Sequence, residues 1–162
     1  MGRRTVEQKA GRRGARFIYL SASVAPSLTR ARSGHAGRRV AWRVLAANNR
    51  PLGRSVTVYN TLGDCTAAAS ELHRDVSRAV GSIGFETGTG SWRWTLSLGG
   101  AAAATCVNPY GRRIECQRAL AQFLVAVADA EPGAQQVRHL GIGALHDYDH
   151  DVCRELARRA VD

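Results

Sequence analysis

The residue types best suited to chemistry cluster late in the sequence, as His146-Asp147-Tyr148-Asp149-His150 followed by Cys153. On a helix, His146, His150 and Cys153 fall at i, i+4 and i+7 and share one face. Two imidazoles and a thiolate suit Zn²⁺. The run also mimics H-E-x-x-H, with Asp147 where the glutamate general base would stand. Aspartate is one methylene shorter, which misplaces the proton acceptor relative to a metal-bound water. The competing reading is a helix start over Asp149–Ala160, in which the aspartates cap orphan amide groups and Cys153 packs in the core. That reading is preferred, because no fourth ligand is evident nearby. It carries no metal and no cofactor. His35, His73 and His139 are isolated and read as surface residues.

Other chemistries fail on residue type. Lys9 is the only lysine, which excludes a P-loop and a Schiff-base lysine from the globular part. There is no G-x-S-x-G elbow, and the glycines of 81–90 fit a loop rather than a phosphate cradle opening a helix. Cys65 and Cys116 lie on the apolar frame of helices, where a cysteine behaves as a small hydrophobe. No catalytic residue is assigned, and the expectation leans away from an enzyme.

Charge is the stronger signal. The chain has 162 residues with 23 basic and 13 acidic side chains, a net charge of +10 and a pI near 10.7. Residues 1–42 hold ten of the basic groups (Arg3, Arg4, Lys9, Arg12, Arg13, Arg16, Arg30, Arg32, Arg38 and Arg39) against a single acid, Glu7. The remainder is nearly balanced, as in an ordinary soluble domain. A basic arm of this kind suits an anionic polymer such as nucleic acid. The plainer alternative is a solvated leader whose arginines reflect coding bias.

The elements that must position these groups repeat along the chain. Trp42-Arg43 returns as Trp92-Arg93, and Tyr59 as Tyr110. Cys65, Ala68, Ala69, Leu72 and Val76 mark one face of an amphipathic helix, and Cys116, Ala119, Leu120, Phe123 and Val127 repeat it at an offset of 51. Each unit reads as strands followed by a helix. Phe17–Ser23, Trp42–Ala47 and Ser55–Tyr59 precede the first helix, with Asn48-Asn49 as the turn. Ile83–Thr87, Trp92–Leu98 and Ala103–Val107 precede the second, with Gly99-Gly100 as the turn. Thr61 and Asp64 offer an N-terminal cap. The apolar stretch Phe17–Val24 alternates like a strand and lacks a signal-peptide cleavage site, and no run approaches the roughly 18 residues of a membrane span.

At these residues the sequence resembles the YegP-like family of small bacterial and archaeal proteins. The carriers are Trp42, Val44, Ala46-Ala47-Asn48, Leu52-Gly53, Ser55, Tyr59 and Thr61 in the first unit. Trp92, Trp94, Leu96, Thr105 and Tyr110 carry it in the second. The family's helical Gly-Ile is replaced by Ala68-Ala69 and Ala119-Leu120, and the second unit lacks the turn asparagine. The resemblance implies a fold and no activity.

The expected architecture is α+β: two tandem β-β-β-α repeats related by pseudo-twofold symmetry, an antiparallel sheet with helices packed on it, and a C-terminal helix. Residues 1–16 form a basic arm and 17–130 the repeat domain. Its first unit covers about 17–80 with a basic insertion at 24–40, its second about 83–130. Residues 131–162 form a Gly-rich linker and the closing helix. The expected function is a non-enzymatic binding or scaffolding module with weak, sequence-independent nucleic-acid binding through the ten basic groups above. The alternatives are a metal protein or hydrolase using His146, Asp147, His150 and Cys153, and a plain protein–protein module. The four cysteines show no C-x-x-C spacing and fit a reduced, cytoplasmic protein without a membrane partner.

Overall fold

A computed structural model of the chain describes residues 14–23, 37–133, 136–141 and 144–145. The fold is mixed α+β: a seven-stranded sheet with two helices on one face. In chain order the elements are β1 (Arg16–Ser23), β2 (Arg38–Leu45), β3 (Pro51–Ser55), α1 (Leu62–Asp75), β4 (Val80–Glu86), β5 (Ser91–Leu98), β6 (Ala101–Thr105), α2 (Arg113–Asp129) and β7 (Val137–Leu140). A single 3₁₀ turn, Val76–Arg78, joins α1 to β4. The sheet order is β4-β5-β6-β3-β2-β1-β7.

The strands follow from period-two patterning. Phe17 and Tyr19 face the helices, while Ile18, Leu20 and Ala22 join a second apolar cluster on the opposite face. β1 pairs antiparallel with β2 from Arg16↔Leu45 to Ser23↔Arg38. Arg38 and Arg39 are therefore already strand residues at the end of the expected insertion. The β2–β3 turn closes through Asn49 at φ 67°, an angle asparagine tolerates. The Asn48 side chain accepts from the Arg50 amide at 3.1 Å. Gly99 and Gly100, at φ 59° and 85°, make the tight β5–β6 turn that needs positive φ twice.

Two return strands begin earlier than the sequence suggests. β3 occupies Pro51–Ser55 rather than Ser55–Tyr59, and β6 occupies Ala101–Thr105 rather than Ala103–Val107. The turns are tight, so pairing starts at once, and an irregularity in each hairpin absorbs the extra residue. Tyr59 and Tyr110 come back only as single bridges, to Val40 and Trp92 respectively. The segment expected as a linker contains β7, which runs parallel to β1 from Tyr19↔Val137 to Ala22↔Leu140. Val137 packs against the core there, an apolar position that the surrounding glycines and Pro132 mask in the sequence.

The helices lie on the sheet through the expected frame. Cys65, Ala69 and Leu72 of α1 are buried, as are Cys116, Phe123, Ala126 and Val127 of α2. Between layers, Trp94 meets Phe123 with ring centroids 4.7 Å apart, and within the sheet Phe17 meets Trp42 edge-on at 5.5 Å. Gly53 makes this packing possible. A Cβ there would lie 2.5 Å from the Phe123 ring and 2.7 Å from Trp94. Among the described residues, no helix is long and apolar enough to cross a membrane.

Candidate functional site

The described strands carry seven arginines (Arg16, Arg38, Arg39, Arg43, Arg54, Arg93 and Arg138) and one acid, Glu86. The other described acids (Asp64, Glu71, Asp75, Glu115, Asp129 and Glu131) belong to the helices or follow them. The described acids are thus sorted by layer, while arginines occur in both, Arg74, Arg113 and Arg118 being in the helices. Alternation sorts the strand arginines by face. Val40, Trp42 and Val44 of β2 point into the helix-side core, so Arg39 and Arg43 point to the helix-free side. Trp94 and Leu96 likewise turn Arg93 and Thr95 outward. Arg54 stands between Arg43 on β2 and Thr105 on β6, and Thr105 pairs with Thr95, which pairs with Ser82. One row across this face therefore reads Arg43, Arg54, Thr105, Thr95, Ser82.

The two halves of that face differ. Over β1 and β2 it is closed by the apolar cluster of Ile18, Leu20, Ala22, Ala41, Leu45, Val58 and Leu145. Over β4, β5 and β6 it is more open: Ser82 and Gly84 are exposed, and Arg93, Thr95 and Thr105 are half-buried. Arg54, in the middle, is buried to 5% exposure. Every aromatic ring of the strands (Phe17, Tyr19, Trp42, Phe85, Trp92 and Trp94) alternates onto the helix side. The helix-free face offers guanidinium and hydroxyl groups but no stacking platform.

Of the ten basic residues singled out in the sequence, Arg16, Arg38 and Arg39 are described. Arg3, Arg4, Lys9, Arg12, Arg13, Arg30 and Arg32 lie outside the described residues. Arg16 ties structure together: its Nε donates to Gln136 Oε1 at 3.1 Å, and other guanidinium nitrogens donate to Asn49 Oδ1 and the Ala46 carbonyl. Arg39 donates to Asn60 Oδ1 at 3.3 Å, and Arg38 is exposed. Sequence reasoning passed over Arg43, Arg54, Arg93 and Arg138, because it counted charge by segment rather than by strand face. The signal was present, since Arg93 alternates with Trp92 and Trp94. His146, Asp147, His150 and Cys153 also fall outside the described residues, among which no three His, Cys, Asp or Glu side chains gather as a metal site.

The buried thiols are set for packing rather than attack. Burial pushes Cys65 up from 9.0 to about 12. Cys116 goes from 9.0 to about 11, by burial and by the neighbouring Cys106. Each thiol sits beside a tyrosine and a fully buried tryptophan: Cys65 with Tyr59 and Trp42, Cys116 with Tyr110 and Trp94. Each indole N–H faces its tyrosine hydroxyl without completing a hydrogen bond. Burial raises both tyrosines above 10.0, so both remain neutral phenols at physiological pH.

No family model matches the chain, and no curated protein matches it. Solved structures do. The chain is similar to YegP. That Escherichia coli protein, described as of unknown function, is 12% identical, with 78% of this chain and 94% of YegP covered and a TM-score of 0.44. The UPF0339 protein SO3888 of Shewanella oneidensis is 9% identical, with 80% and 96% covered and a TM-score of 0.46.

Proposed function

We propose that the protein is a non-enzymatic module that holds the phosphate backbone of nucleic acid without reading its sequence. Its contacts are strand arginines that solvent reaches, Arg38, Arg39, Arg93 and Arg138, together with the basic groups of residues 1–13 and Arg30 and Arg32. The observation that carries this reading is the excess of cations on the strands, where seven arginines stand against Glu86 alone. Guanidinium groups pair phosphate oxygens bidentately, and the hydroxyls of Ser82, Thr95 and Thr105 are of the kind that contact backbone. With all strand aromatics on the helix side, base stacking contributes nothing, so single strands gain no advantage over duplex.

The frame beneath is proposed to be two copies of one β-β-β-α unit about a pseudo-twofold axis. Arg54 and Thr105, 51 residues apart, pair with each other at the centre of the sheet. The Tyr-Trp-Cys clusters recur about the same offset. Trp94 rather than Trp92 answers to Trp42, since Val40 and Trp92 are the two residues that bridge the tyrosines.

Fluorescence anisotropy with duplex and single-stranded oligonucleotides over a salt series tests the functional reading. About five phosphate contacts on duplex give a log–log salt slope near −4.5, with Kd about 10⁻⁴–10⁻⁶ M at physiological salt. Arg93→Ala and Arg138→Ala each flatten the slope by about one unit, while Arg74→Ala on α1 leaves it unchanged. Binding that is absent, or indifferent to salt, overturns the reading.

A further inference from the structure

On the helix side of the sheet a groove of about 330 Å³ opens between the start of β3 and α2. Pro51, Leu52 and Ala119 give it apolar walls, and its polar groups come from Arg50, Tyr110, Glu115, Arg118 and Gln122. The volume lies at the small end of the range of about 300–1,000 Å³ used for small ligands.

The polar groups are arranged by α2. Arg118 and Gln122 stand one helical turn apart on the same face. Arg50 reaches across from the β2–β3 turn, and its guanidinium donates to Gln122 Oε1 at 2.9 Å. That bond holds the Arg50 guanidinium at the groove, which Arg118 also lines. Among the described residues neither Arg50 nor Arg118 makes an ion pair. Two cations lining one groove give it a site at which an anion is attracted. Glu115 lies one turn toward the start of α2, makes no ion pair either among the described residues, and adds a negative charge to the lining.

We propose that this groove binds a small phosphate monoester: the phosphate held by Arg50 and Arg118, a compact apolar body on Pro51, Leu52 and Ala119, and a hydroxyl or amino group donating to Glu115. Two guanidinium forks match a phosphate dianion in charge and geometry better than they match a monocarboxylate. The Tyr110 phenol, kept neutral by burial, has a proton to donate along the wall. Glu115 repels a continuous polyanion, so the groove is distinct from the strand face, and its occupancy does not depend on nucleic-acid binding.

Chemical-shift titration of the isotope-labelled full chain with phenyl phosphate tests this. The expected result is saturable shifts confined to residues 50–52, 110 and 115–122. Arg118→Ala and Arg50→Ala each weaken binding by about tenfold, equivalent to about 1.4 kcal/mol, and Arg74→Ala has no effect. Inorganic phosphate and phenylacetate bind more weakly than phenyl phosphate if both the body and the dianion matter. Equal binding of inorganic phosphate overturns the apolar contact, and equal binding of phenylacetate overturns the phosphate assignment. Absence of saturable shifts in the groove, or a loss in Arg74→Ala as large as in Arg118→Ala, overturns the site.

Discussion

At the scale of single residues, Gly53 and Gly81 differ in what surrounds them. A Cβ on Gly81 would meet Leu120 Cδ2 at 2.6 Å, the free end of a flexible side chain. A Cβ on Gly53 would meet the Phe123 ring and Trp94, both held in the core. Gly53→Ala is therefore expected to cost about 1–3 kcal/mol, and Gly81→Ala less, by urea denaturation. Adding Phe123→Leu should recover part of the Gly53 loss by vacating the ring's space, so strictly additive effects would remove the steric explanation. The thiols supply a pH prediction. Each is neutral in the folded chain and free to ionise in the unfolded one. Their stabilisation is complete below pH 9.0 and is lost as pH rises, through about 11 for Cys116 and about 12 for Cys65. Urea midpoints should fall above pH 9, and Cys65→Ala with Cys116→Ala should flatten that fall. Both cysteines were legible as core residues from their place on the helix frame. The arginines that matter most were not, because a strand's two faces separate only once its register is known.

At the scale of elements, the helices begin differently. Thr61 Oγ1 accepts from the Asp64 amide at 3.0 Å and donates to the Asp64 carboxylate at 2.7 Å. α2 starts at Arg112 with no side-chain cap. Thr61→Ala should cost about 1 kcal/mol, whereas Arg112→Ser or Arg112→Asp should gain up to about 1 kcal/mol, both measured as shifts in denaturation midpoint. The cap on α1 was legible as Thr61 followed by Asp64. Strand existence was also legible, from alternation at Phe17–Ser23 and Trp92–Leu98. Strand limits were not, because the bulges that advance β3 and β6 leave no mark on hydrophobic period. Nor was β7, where Val137 is followed by Arg138 and His139 and only contact with Tyr19 makes a strand of them.

At the scale of the whole molecule, the strands carry an excess of cations while most described acids belong to the helices, and this governs which truncations are informative. Arg16 belongs to the fold through Gln136, Asn49 and Ala46, so deletion should stop before it. Removing residues 1–13 takes away Arg3, Arg4, Lys9, Arg12 and Arg13. It should leave thermal unfolding unchanged while flattening the nucleic-acid salt slope. An intact slope would assign the binding to the strands together with Arg30 and Arg32.

The placement of β7 has a consequence in time. β1 is complete once residue 23 has left the ribosome, but its outer neighbour lies more than a hundred residues downstream. The Tyr19 amide donates to the Gln136 carbonyl at 2.9 Å and the Tyr19 hydroxyl to the Pro132 carbonyl at 2.6 Å, so both wait for the same late segment. Until then β1 presents an unpaired edge to other nascent chains, a known route to aggregation. Closure over so long a loop is also a slow, non-local step. The interval between the synthesis of β1 and that of β7 is thus when this chain is most exposed to misassembly.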